Sequence, residues 1–379
     1  MTLGELTQEA SFVVSASGVF TEENENVQSY AGYFKPVVDG HQILVKDNAL
    51  CYIRPVQDPN KLNNAPLSFA DGTNRAVCPL CGEWVTWTAL TDMTETTYLE
   101  DGGHYYLAQS IVYEGSDEVS LRVDAKKTGC LHLNGNDFTS KGARIFSEGT
   151  LNIMGSGNVS GSYSKSQRGA TLEMNNANAV INLYGGTYTA FESSNPVAIV
   201  RGNGGSLNIY ADAVIGSKEM TGMAVRVFYG VCSQYGGKIV SGTGNAVTLS
   251  NYSATKSGSF YLYGGEVLSG SGYAITTGGT ATAPAVLEIS GGSVTGTINA
   301  TANGAVTLSG SPILTDLRIA EGHRIVLGEL TEGAAIRVNA NGLFTQTNEK
   351  AAEYAEYFTS ADEVMTVVEK ENALYCELK

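Results

Sequence analysis

From about residue 103 onward, apolar and polar side chains alternate one by one in short runs, as in Ala179-Val180-Ile181-Asn182-Leu183-Tyr184. A period of two puts successive side chains on opposite faces of a strand, whereas helical spacing is nearly absent. The runs end alike: an aliphatic residue, often a tyrosine, then a Gly-Gly step. In order they read Asn152-Ile153-Met154-Gly155-Ser156, Asn182-Leu183-Tyr184-Gly185-Gly186 and Asn208-Ile209-Tyr210-Ala211-Asp212. Ser233-Gln234-Tyr235-Gly236-Gly237, Tyr261-Leu262-Tyr263-Gly264-Gly265 and Glu288-Ile289-Ser290-Gly291-Gly292 follow. Successive copies start 30, 26, 25, 28 and 27 residues apart. Repeats of this length predict a solenoid, in which each unit buries its apolar face only against its neighbours. Ile153, Leu183, Ile209, Leu262 and Ile289 are expected to point inward as a ladder, with roughly seven coils stacked at one parallel-strand spacing, about 4.8 Å. The Gly-Gly step supplies a positive-φ corner. Gln234 interrupts the ladder and is expected to mark a bulge.

The two ends repeat each other. Residues 3–53 align without a gap onto residues 327–377, and 21 of the 51 pairs are identical. Gly18-Val19-Phe20-Thr21 matches Gly342-Leu343-Phe344-Thr345, and Tyr30-Ala31-Gly32-Tyr33-Phe34 matches Tyr354-Ala355-Glu356-Tyr357-Phe358. Each copy reads as a small β-rich module with a short helical or turn segment, near residues 25–34 in the first. The predicted organisation is therefore a capping module of a preceding repeat unit (1–53), a linker carrying a Cys-x-x-Cys knuckle (54–102), an all-β parallel solenoid (103–326) and a C-terminal capping module (327–379). A module that closes one solenoid and precedes the next implies a segment of a longer tandem array. The alternative is a native start with two similar polar caps, which solenoids need.

Composition sharpens this picture. The chain has 45 glycines against 8 prolines, unlike Pro-rich disordered sequences. A net charge of −15 argues against nucleic-acid phosphates, which need clustered Lys and Arg, and against anionic membrane surfaces. No run is long enough to span a bilayer, and no signal peptide is visible at the N-terminus. In a segment cut from an array that last observation carries no weight.

Several stretches resemble a known family. Gly103-His104-Tyr105-Tyr106-Leu107, Leu131-His132-Leu133-Asn134-Gly135 and Gly149-Thr150-Leu151-Asn152-Ile153-Met154-Gly155-Ser156-Gly157 resemble the opening of pectate-lyase-like right-handed parallel β-helix repeats, found in large surface proteins of Gram-positive gut bacteria. Cys78-Pro79-Leu80-Cys81-Gly82 followed by Trp84-Val85-Thr86-Trp87 resembles the segment that precedes such repeats, and the terminal modules resemble their caps. The resemblance implies a right-handed β-helix in an exported, adhesin-like, cell-surface or secreted protein. It is specific to architecture rather than to activity.

Three groups of residues carry candidate chemistry. Cys78 and Cys81 have the spacing of half a tetrahedral zinc knuckle, which Cys51, His104, Cys130 or His132 would have to complete. A disulfide and a pair of inert thiols remain alternatives. Tyr184, Tyr210, Tyr235 and Tyr263 take one outward position on four consecutive coils, with Asn182 and Asn208 on the same face. Such a strip would stack on sugar rings and hydrogen-bond through its phenols and amides; equally, it would simply stabilise the sheet face. A polysaccharide lyase or glycosidase would need paired carboxylates or acidic calcium ligands with a nearby base. The sequence aligns only Lys238 with Glu266 across coils, with Asp212 one residue off, which reads as surface ion pairing. The leading expectation is thus a non-catalytic stalk that binds an extracellular glycan or another host-surface component and does not insert into a membrane, monomeric within its array. A lyase or hydrolase on the same fold and a purely structural spacer are the alternatives.

Overall fold

A computed structural model describes the chain except residues 1, 4–9, 15–17, 37–41, 47, 54–57, 71, 163–168, 191–193 and 202–203. It divides into two bodies, Met1–Asn63 with Leu67–Trp87, and Asn64–Pro66 with Thr88–Lys379.

The larger body is a parallel β-solenoid. Its first sheet stacks eleven strands in one run, from Thr88–Leu90 through Thr128–His132, Val180–Leu183 and Gly230–Gln234 to Gly304–Gly310 and Val326–Leu330, each parallel to the next. In the earlier coils each turn contributes one strand here and two to a second sheet, as Ser206–Ile209, Val214–Ser217 and Val225–Val227 do. From residue 266 those two strands fuse into single long ones, Glu266–Thr276, Ser293–Ala300 and Ile313–Ile319. Register slips at Leu268/Tyr273, Val294/Thr297 and Leu314/Leu317 mark the former corner. The connection explains the change. Residues 218–224 and then 242–246 link the two strands in successive coils, whereas later coils have too few residues to form a separate turn.

The inward ladder forms as the alternation predicts. Leu131, Ile153, Leu183, Ile209, Leu262, Ile289 and Leu308 lie in register and are buried. Each contributes about 1.5–3 kcal/mol by leaving water. Gln234 departs from expectation: it sits in the ladder, fully buried, with no register slip on either side. Its Nε2 donates to the carbonyls of Gly237 (3.2 Å) and Glu266 (3.1 Å). Those carbonyls satisfy the NH2 group inside the coil, while Oε1 has no hydrogen-bond partner among the described residues. Most of these corners use glycine, though Ala211-Asp212 turns one without it. Gly237 has φ +66°, and a Cβ there would lie 2.3 Å from the Ala213 carbonyl oxygen of the preceding coil.

The two terminal segments share a topology. Gly18–Val19, Gln42–Lys46 and Ala49–Ile53 form a three-stranded antiparallel sheet, as do Gly342–Leu343, Met365–Lys370 and Ala373–Leu378, in the same order. Short helices at Val27–Tyr30 and Ala351–Tyr354 precede the central strand of each. The contacts repeat as well. Thr21 Oγ1 accepts from the Leu50 amide at 2.8 Å, and Thr345 Oγ1 from the Leu374 amide at 2.8 Å. Asn24 Nδ2 donates to the Leu3 carbonyl at 3.1 Å, and Asn348 Nδ2 to that of Leu327 at 2.8 Å. Asn48 and Asn372 share the left-handed conformation, with φ of 55° and 59°. This agreement follows from the aligned sequence, which keeps each of these side chains.

Candidate functional site

One outward column of the first sheet changes character along the solenoid. Tyr106, His132 and Met154 pair in register and are buried, and the same position on later coils holds Tyr184, Tyr210, Tyr235 and Tyr263. The tyrosines form one continuous stack, with centroids 4.7, 5.2 and 5.0 Å apart and planes within 12°, 10° and 15°. That is offset stacking, set by the coil spacing.

Exposure rises along the row, from 7% at Tyr184 to 48% at Tyr263. A distant segment accounts for the covered end. Asn64 Oδ1 accepts from the Gly155 amide (2.7 Å), while its Nδ2 donates to the Tyr184 carbonyl (2.9 Å) and the Asp212 carboxylate (2.9 Å). The Asn64 carbonyl also accepts from the Ser156 amide at 3.0 Å. One side chain therefore clasps three successive coils. Gly185 makes room for it, since a Cβ there would lie 2.6 Å from Asn64 Oδ1.

The amides expected beside the tyrosines are engaged with one another. Asn208 Nδ2 donates to Asn182 Oδ1, and Asn182 Nδ2 to Asn152 Oδ1, both at 2.8 Å. Asn152 in turn reaches Cys130 Sγ at 3.7 Å. Asn182 and Asn208 thus belong to an internal ladder on the covered half.

The open half differs. Tyr210 and Tyr235 have a ring on each side, so solvent meets mainly their edges and hydroxyls. Tyr263 ends the row, and Tyr261 lies beside it, 6.2 Å away with planes within 7°. Exposed Glu288 neighbours Tyr261 on the next coil, and the Lys238–Glu266 ion pair (2.9 Å) lies on the adjoining strands of the second sheet. Burial first, then Tyr235, Glu288 and Tyr261, push the Tyr263 phenol up; burial and Tyr235 do the same for Tyr210. These phenols keep their protons at neutral pH and both donate and accept hydrogen bonds.

Cys78 and Cys81 occupy the turn between Arg75–Val77 and Trp84–Thr86 in the smaller body. Their Sγ atoms lie within 4.8 Å of each other, and they form no disulfide. The Cys78 amide donates to the Glu83 carbonyl and the Gly82 amide to that of Cys78, both at 2.8 Å, with Gly82 at φ +68°. This turn holds both thiols on one side, as a metal knuckle requires. The side chain of Cys51 is outside the described residues. His104, Cys130 and His132 stand on strands of the first sheet.

Alignment of the Tyr-Gly-Gly copies alone misses a charged cluster on the outer face of the second sheet. Glu173, almost wholly buried, takes Arg144 Nε at 3.1 Å and Arg201 Nε at 3.6 Å, with Phe146 and Ile199 as its partners in register. Aligning these second-sheet strands, 26 or 27 residues apart, would have revealed it. A carboxylate so enclosed is a structural ion pair rather than an open acid. Lys238–Glu266 is the surface pair that the alignment predicts, and Asp212 is bound by Asn64.

Together these features define a parallel β-solenoid with an aromatic row on one face. No family model matches the chain, and neither a curated protein nor a solved structure matches it. Among the described residues no helix is long and apolar enough to cross a membrane.

Proposed function

We propose that this chain is a non-catalytic, right-handed β-helical segment of an exported or cell-surface protein, with terminal modules that cap solenoids in a tandem array. Its open aromatic end binds an extracellular glycan. The observation that carries this reading is the end of the tyrosine row, where exposed Tyr263 and half-buried Tyr261 stand with nearly parallel planes beside Glu288. Adjacent aromatic rings suit the apolar faces of sugars, and carboxylates suit their hydroxyls. Glu266, Glu288 and the net charge of −15 favour an uncharged glycan over a uronate or sulfated one. The test is a glycan array probed with the full chain and with the Tyr261→Ala/Tyr263→Ala double variant. Neutral-glycan hits that the double variant loses, with an unchanged melting curve, support the reading. An array without hits makes the segment a structural spacer.

Cys78 and Cys81 are read as one half of a structural zinc site. Purified protein would carry about one equivalent of zinc, lost when both become Ser. Metal near zero would leave them as plain thiols.

A further inference from the structure

The duplicated modules differ at one strand. In the C-terminal copy Ala335–Asn339 pairs on both edges: Ile336↔Phe358 joins it to its module, while Leu314↔Ile336 and Leu317↔Val338 join it to the preceding coil. The equivalent strand in the N-terminal copy, 324 residues earlier, is Phe12–Val14. It pairs Phe12↔Phe34 with its own module in the matching register, and among the described residues no strand pairs with its other edge. The side chains register the difference. Ile336 and Val338 are 1% and 0% exposed, whereas their counterparts are open: Phe12 is 41% exposed and Val14 is only half-buried. Phe12 also stacks on Phe34 at 5.0 Å, which holds the strand ready in extended form.

We propose that Phe12–Val14 is a seat for the last coil of a second β-solenoid. That coil would add a parallel edge strand of the Ile313–Ile319 kind and set two aliphatic side chains against Phe12 and Val14. An open apolar strand edge is a template for strand addition, and the filled seat at the other end of this chain shows which strand direction and register it accepts. Phe12 takes the place of Ile336, Val14 that of Val338, and Val13 that of Arg337, which points to solvent and accepts any side chain. This inference rests on the reading of the terminal modules as solenoid caps and is independent of the glycan reading, because it concerns a different surface.

Two variants of the full chain test it. In the first, residues 3–53 are copied over residues 327–377, so the N-terminal module must seat the solenoid's own last coil. The proposal expects an unchanged melting midpoint and amide-exchange protection of Ile313–Ile319 equal to the parent's. Loss of that protection would overturn it. In the second, residues 327–379 are deleted, which leaves one open seat and one open coil in each chain. Light scattering should then show head-to-tail oligomers that grow with concentration, and Phe12→Lys should return them to monomers. A truncated chain that stays monomeric, or oligomers indifferent to Phe12→Lys, would refute the seat. If the truncated chain does not fold, the chimera decides alone.

Discussion

Tyr184 and Tyr263 are the same residue at the same position of the coil, with ring neighbours at nearly the same distance, yet one is enclosed and the other meets solvent. The covered half of the row is clasped by Asn64 and flanked by the Asn152–Asn182–Asn208 ladder, so its polar groups answer one another. On the open half Tyr261, Tyr263 and Glu288 face outward. A periodic row meets solvent only where nothing lies over it. Stacking gives every rung the same internal order, and cover decides whether a rung is enclosed or meets solvent.

The largest expected effect lies on the covered half. Burial lowers the His132 imidazole to about 4, so His132 is neutral in the fold at neutral pH. Between its unfolded pKa, about 6.5, and about 4 the unfolded chain binds a proton that the folded chain does not. Stability is therefore full above pH 6.5 and falls as the pH drops, by up to about 3 kcal/mol. Denaturant melts at pH 7 and pH 4.5 check this, and His132→Gln should flatten the difference. Next, Tyr184→Ala should destabilise by about 2–3 kcal/mol, because it opens a cavity under the clasp, and leave glycan binding unchanged. Asn64→Ala removes hydrogen bonds to three coils and should cost about 1–2 kcal/mol while raising the exposure of Tyr184. Tyr263→Ala removes ring contacts with Tyr235 and Tyr261 at a half-exposed position and should cost about 1 kcal/mol in stability; its main effect would be weaker glycan binding. If Tyr184→Ala and Tyr263→Ala had the same stability and binding profile, the two halves would not be distinct.

Much of this was legible in the sequence. The period-two alternation and the aliphatic ladder specify the coil, because inward positions recur at the corner of every turn. The tyrosine row was legible for the same reason, and the duplicated ends because their aligned residues make the same bonds, as Thr21 and Thr345 do. What sequence could not supply was cover. Asn64 acts on Tyr184 from 120 residues away, through a segment with no periodicity of its own. Glu173 and its arginines lie on second-sheet strands that no glycine corner flags, so only a separate alignment of those strands shows the cluster. Gln234 read as a break because a polar residue in an apolar column usually is one; two corner carbonyls make it an exception.

The central claim, that one continuous ladder is structural at one end and open at the other, is tested most directly by site-resolved tyrosine nitration of the native protein, read by mass spectrometry. Modification should be fastest at Tyr263, then Tyr235, then Tyr210, with Tyr184 inert until the protein unfolds. Nitration of Tyr184 as fast as Tyr263 in the folded protein would contradict it.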